Sequence, residues 1–252
     1  MAILKTSAIV LKTWKFGETS KIVSLLTRDF GKVRVMAKGA RSPKSQFKGC
    51  LEPLSHINIV FYDKKTRDLQ LLSKTDLVDA HVRFMGDMTR TTLGFAAAEL
   101  IDRAIIANEP QIKVFDLFAD VLSAINRNSG FLEGLLWFFE GKFITLMGYK
   151  PTWETCLECG TSLGTKGGFF QPDSGGLLCP ACGAGRGGLK INPGSLEILY
   201  WLQRANPDEI PRLKPEPVHI NEIRKMYDLY FKMHVDLKKG LNALDFYYEM
   251  KD

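Results

Sequence analysis

Histidine is scarce in this 252-residue chain, which has only His56, His81, His219 and His234. They are too scattered to suggest an acid–base centre. There is no G-x-x-x-x-G-K-[ST] loop, no H-E-x-x-H helix and no G-x-S-x-G elbow, so the common nucleotide-hydrolysing, zinc-protease and serine-hydrolase chemistries lack their signatures. No run approaches the ~18 apolar residues of a membrane span. The first residues, MAILKTSAIVLKTWKFG, interrupt their apolar positions with Lys5, Lys12 and Lys15, unlike a secretory leader. The expectation is a soluble cytoplasmic protein that is not an enzyme and has no membrane partner. Its 45% hydrophobic and 25% charged residues suit a globular chain of one or two domains.

Acidic residues are missing from one stretch in particular. Residues 31–49, GKVRVMAKGARSPKSQFKG, contain Lys32, Arg34, Lys38, Arg41, Lys44 and Lys48 and no Asp or Glu. The net charge is +6, yet residues 1–80 hold 15 Lys/Arg against 7 Asp/Glu and the remainder 19 against 21. The basic character belongs to the first third, where a polyanion is the natural partner. Nothing there forms a basic amphipathic helix, which disfavours a membrane surface.

The first third alternates with period two, predicting strands near 6–13, 21–27, 32–38, 56–62 and 69–75. Turn residues separate them, as in Phe16-Gly17-Glu18 and Asp29-Phe30-Gly31. Five short strands suit a closed Greek-key barrel of the OB type, because closure removes exposed edges. Val33, Val35 and Ala37 would face the core, and Lys32, Arg34 and Lys38 would line the outer side together. The six basic residues are the candidate contacts to nucleic acid. Trp14 and Phe47 are the candidate stacking platforms, each with a plain packing alternative. Lys64, Lys65 and Arg67 make a second basic hairpin tip.

Beyond residue 79 the period changes to three and four. Leu93 to Ile105, Phe115 to Ile125, and Phe131 to Met147 predict helices, the last apolar on nearly every side and therefore central. Asn192-Pro193-Gly194-Ser195 opens another. Ile220 to Leu244 predicts a long amphipathic helix that Gly240 interrupts, with His234 on its apolar line. The expected division is a nucleic-acid-binding barrel at 1–79 and a helical domain at 80–252.

Cysteine is sparing but patterned. Cys156-Leu-Glu-Cys159 and Cys179-Pro-Ala-Cys182 form two Cys-x-x-Cys pairs, the spacing of a tetrahedral four-thiolate zinc site. Four protein ligands leave no open position, so the metal should be structural, with iron the minor alternative. Gly160 and Gly183 would supply positive φ after each pair. The intervening 167–171 and 175–178 predict strands of a zinc ribbon embedded at about 152–190. Cys50 is expected to be a small buried apolar residue.

These parts in this order resemble the RecO family of bacterial recombination mediators. The resemblance rests on Gly17-Glu18-Thr19-Ser20, on Gly31-Lys32-Val33-Arg34-Val35 and on Ala37-Lys38-Gly39-Ala40-Arg41-Ser42. It continues through Ser45 and Leu51-Glu52-Pro53-Leu54, then Tyr149-Lys150-Pro151 and residues 169–182. It implies an α+β architecture of OB barrel, helical body and four-cysteine ribbon. It also implies binding of single- and double-stranded DNA, annealing of complementary strands and, with RecR, loading of RecA onto DNA coated by single-stranded DNA-binding protein. That protein's acidic tail is the implied contact, and the bacterial nucleoid the implied location. Two alternatives stand beside it. One is an RNA-binding OB and zinc-ribbon factor of translation or RNA processing. The other is a nucleic-acid enzyme using dispersed carboxylates such as Glu133, Glu140 and Asp173.

Overall fold

The computed structural model describes residues 2–64, 66–107, 109–164, 166–235 and 240–249. They fall into two compact units, 1–127 and 128–252. The first opens with five strands: β1 (Ala2–Phe16), β2 (Ser20–Thr27), β3 (Gly31–Ala37), β4 (His56–Asp63) and β5 (Leu69–Asp79). Each has two neighbours, in the order β1-β2-β3-β5-β4, and β4 returns to β1 to close the ring. The β3–β5 seam is parallel and short, pairing Arg34 with Leu69, Val35 with Gln70 and Met36 with Leu71; every other pairing is antiparallel. β1 and β5 run longer than the predicted 6–13 and 69–75, because their outer ends keep pairing after the apolar alternation stops.

Inward side chains build the barrel core, with Ala8, Val10, Val23, Leu25, Val33, Val35, Ile57, Ile59, Phe61 and Leu72 all buried. The loop from 38 to 55 closes one end of it. Phe47, Cys50 and Leu51 descend into the core, so for Phe47 the packing alternative holds and the ring is a plug, not a stacking platform. Cys50 is buried as expected.

After a 3-10 turn at Val82–Phe84, two helices complete the first unit: α1 (Met88–Ala104) and α2 (Ile112–Arg127). Asp87 caps α1, accepting from the Arg90 amide at 3.0 Å. The segment between the helices runs close against the β2–β3 turn. Gly31 has φ +66, and any Cβ there would collide with the Glu109 carbonyl.

The second unit begins with α3 (Glu133–Leu146), which buries Leu135, Leu136, Trp137, Phe139, Phe143 and Ile144. It is the central helix its composition predicts. A four-stranded sheet follows, made of β6 (Thr152–Cys156), β7 (Gly168–Gln171), β8 (Gly176–Leu178) and β9 (Leu189–Ile191), in the order β6-β8-β7-β9. The short helix α4 (Pro180–Gly183) lies between β8 and β9. The chain ends with α5 (Pro193–Leu202), α6 (Pro217–His234) and α7 (Asn242–Glu249). The expected long terminal helix is thus two helices; residues 236–239 between them lie outside the described residues, and Gly240 has φ +60. His234 is a packing residue, its ring Nε2 2.8 Å from the Pro172 carbonyl oxygen and 4.4 Å from Tyr230 between ring centroids.

Candidate nucleic-acid interface and metal centre

The outer side of the barrel divides into a covered half and an open half. Strand register places Leu26 opposite Lys32, Ser24 opposite Arg34, and Ile22 opposite Met36. At the first of these rows α1 lies on the sheet. Lys32 is only 14% exposed, and its ammonium sits 3.4 Å from Asp102 Oδ1 while also donating to the Asp102 backbone carbonyl. Ser24 Oγ donates to the same carboxylate at 3.4 Å. Arg28 makes two bonds to Asp116 of α2, at 2.9 and 3.2 Å. Lys32 therefore holds a helix to the barrel and does not face solvent with Arg34 and Lys38. Nothing near it in sequence signals this, since Asp102 is 70 residues away.

The other half is open. Trp14 of β1 lies opposite Ile22, Ile22 opposite Met36, and Met36 opposite Leu71. Directly paired residues share a face, so an apolar row crosses four strands. Arg34 of β3 and Lys38, in the turn just past its end, are both exposed. The loop beyond β3 is tied to two strands. The Arg41 amide donates to the Thr19 carbonyl at 2.7 Å and its guanidinium to the Gly17 carbonyl at 3.2 Å, at the β1–β2 tip. Gln46 Nε2 donates to the Ser73 carbonyl of β5 at 3.1 Å. Lys44 and Lys48 are exposed on that loop. Of the six predicted contacts, five are thus exposed, on β3 and the loop that follows it, and Lys32 is not. Lys12 was not among them, yet its ammonium is 5.3 Å from the Trp14 ring centre. Its i,i+2 spacing from Trp14 on β1 is the signal that could have found it. At the second basic tip Arg67 is exposed, and Lys65 lies outside the described residues.

In the second unit the sulfurs of Cys156, Cys159, Cys179 and Cys182 all lie within 4.8 Å of one another. They are the only group of three or more His, Cys, Asp or Glu able to hold a metal ion among the described residues. Cys159 and Cys179 Sγ are 3.8 Å apart, far beyond a disulfide bond. A tetrahedral thiolate site with metal–sulfur bonds of about 2.3 Å has edges of about 3.8 Å. Backbone amides supply the rest of the fit: Cys179 N–H points at Cys156 Sγ at 3.2 Å, and Cys182 N–H at Cys179 Sγ at 3.4 Å. Burial pushes the Cys156 thiol up, but amides from Cys159, Cys179 and Glu158 outweigh it and bring the group to about 6. Hydrogen bonding to the sulfurs of Cys179 and Cys159 holds Cys182 up at about 12.

Gly160 has the expected positive φ, +67. Gly183 does not: it ends α4 with the Phe169 ring against its α-carbon, where a Cβ would overlap the ring. Its smallness serves packing and not backbone handedness. The ribbon is fastened to the helices of its own unit. Phe170 rests against Trp153 and Tyr230, with ring centroids 5.7 Å apart in both cases. Tyr200 donates to the Trp153 carbonyl at 2.6 Å.

Of the dispersed carboxylates, only Glu140 borders a cavity, with Arg224, Asp228 and Asp245; Glu133 and Asp173 do not line it. Glu133 is buried and accepts from Tyr247 and Tyr248 at 3.1 and 2.9 Å. Glu140 is also buried, and burial, then Glu133 and Asp228, raise its pKa well above the ordinary range. Asp173 is exposed.

An OB-type barrel with basic residues exposed on its open face, followed by a helical unit that carries four clustered cysteines, suits a nucleic-acid-handling class. The description "Recombination protein O N terminal" matches residues 1–81, and "Recombination protein O C terminal" matches residues 85–242. The chain belongs to the RecO family of DNA repair and recombination proteins. It is 29% identical to the DNA repair protein RecO of Chloroherpeton thalassium, over 93% of both chains. It is 30% identical to that of Salinibacter ruber, over 93% of this chain and 89% of the relative. With that of Symbiobacterium thermophilum it shares 32% over 80% of each. No helix among the described residues is long and apolar enough to cross a membrane.

Proposed function

We propose that this chain is a non-enzymatic DNA repair mediator that binds single- and double-stranded DNA through the open half of the barrel. In this role it anneals complementary strands. With RecR it helps place RecA on DNA coated by single-stranded DNA-binding protein, recognising that protein's acidic tail, in the cytoplasm at the bacterial nucleoid. The observation that carries the DNA assignment is the exposure of Arg34 and Lys38 on the uncovered outer face, with Arg41, Lys44 and Lys48 on the adjoining loop. Such a surface binds phosphates and releases their counterions. The nucleic-acid-binding part is assigned to 1–79 and the helical part to 80–252, with the ribbon at about 152–190.

The four cysteines hold zinc in a structural role, since four thiolates leave no position for substrate. The thiolate set and sulfur spacing support zinc over harder cations. The non-catalytic assignment is supported by Glu133, which is buried and taken up in hydrogen bonds from Tyr247 and Tyr248.

The test is annealing of complementary DNA strands, bare and coated with single-stranded DNA-binding protein, with RNA as competitor. Accelerated annealing that persists on coated strands, and resists RNA competition, is the expected result. Preferential capture of RNA with no annealing would favour the RNA-binding alternative instead.

A further inference from the structure

Two large aromatic side chains on the open half are not needed by the barrel core. Trp14 is 37% exposed and Phe16 48%. They stand two apart on β1 and so project from one face. Behind Trp14 lie Ile22 and Met36, directly opposite in successive strands, which give its ring an apolar floor. Above it, Lys12 rests 5.3 Å from the ring centre. The Arg41 guanidinium donates to the Gly17 carbonyl, one residue beyond Phe16, so a cation stands at the β1–β2 tip that Phe16 leads into. Aromatic faces and cations therefore alternate over one short stretch of surface.

Duplex DNA keeps its base faces stacked inside the helix and offers only edges and phosphates. An unpaired strand offers a π-face on every base, and each can stack on an exposed ring whatever its sequence. We infer that Trp14 and Phe16 form a stacking platform for unpaired nucleobases and give the barrel a preference for single strands that its lysines and arginines alone cannot supply. This rests on the DNA-binding role proposed above and adds to it the part of the nucleic acid being read. Lys12 and Arg41 would hold the flanking phosphates while the rings hold the bases. The platform grips a strand whose bases are exposed and releases it once pairing hides them.

The test compares the full chain with the Trp14→Ala/Phe16→Ala variant by fluorescence anisotropy. The probes are an oligothymidine, the same strand made abasic, and a duplex of equal length. Removing both platforms should weaken oligothymidine binding about tenfold or more, as loss of base–aromatic stacking does. Duplex binding should stay within about twofold and the salt slope should be unchanged, as expected when no phosphate contact is lost. The native chain should bind the abasic strand as weakly as the variant binds oligothymidine, and the Trp14→Phe/Phe16→Tyr variant should recover the preference. Thermal melting of both variants at the native temperature accompanies the comparison. Equal weakening towards oligothymidine and duplex, or an unchanged ratio between them, overturns the platform while leaving DNA binding intact. Failure of the native chain to bind any of the three probes overturns the DNA-binding role as well.

Discussion

The barrel's basic surface and the four-cysteine ribbon make opposite uses of sequence. In the ribbon each cysteine pair is local in the chain, and the pairing of β6 with β8, Cys156 opposite Leu177, brings the two pairs together; all four sulfurs converge within 4.8 Å. On the barrel, neighbours in the chain are separated by what lies over them. Lys32 and Arg34 share a face of β3, yet Asp102 takes the first and solvent the second. Spacing in sequence therefore suffices to mark four cysteines that could hold a metal ion. It does not suffice to specify a binding surface, which is defined by whatever the rest of the fold leaves uncovered.

The largest expected effect tests the ribbon side of that contrast. Cys179→Ser, or removal of metal by a chelator, should destabilise the second unit severely, because structural zinc sites supply about 10–16 kcal/mol of apparent binding energy. Metal content and thermal melting check this, and the first unit should retain its own melting transition. An unaltered melt with no metal to lose would remove the structural role.

A smaller effect sharpens the picture of the helical unit. Burial, then Glu133 and Asp228, raise the folded pKa of Glu140 well above the ordinary 4.5. The native state then keeps a proton that the unfolded state gives up, and stability falls as pH rises from the ordinary carboxyl range towards the raised value. The slope is at most about 1.4 kcal/mol per pH unit. Glu140→Gln should flatten the profile and be the more stable protein at neutral pH. Denaturant unfolding between pH 5 and pH 8, followed on the buried Trp137 and Trp153, measures it. The smallest expected effect concerns Lys32. Lys32→Met should cost about 1 kcal/mol, as a partly exposed charged hydrogen bond does, with no change in the salt slope of DNA binding.

Much of the fold was legible because its signals are local. Period two marked all five barrel strands, and Asn192-Pro193 marked the start of α5, where Pro occupies the first helical position. What escaped was decided by distant parts of the chain. Phe47 sits in a basic loop that reads as exposed, but the barrel needs an end plug and the loop supplies it. Gly183 follows its cysteine as Gly160 does, yet the first accommodates the Phe169 ring and only the second needs positive φ. Trp14 and Phe16 show an alternation that equally suits barrel packing, and only the strand register reveals that they face outward. The six basic residues share composition, and α1 singles out Lys32.

The most direct test of the account is the salt dependence of DNA affinity in the Arg34→Glu/Lys38→Glu/Arg41→Glu variant, measured beside Lys32→Met. Each lost phosphate contact should reduce the slope of log K against log salt by about 0.9. The triple variant should therefore be shallower than the native chain by roughly 2–3, while Lys32→Met keeps the native slope. A native slope in the triple variant, or an equal reduction in Lys32→Met, would contradict the division of the barrel into a covered half and a DNA-binding half.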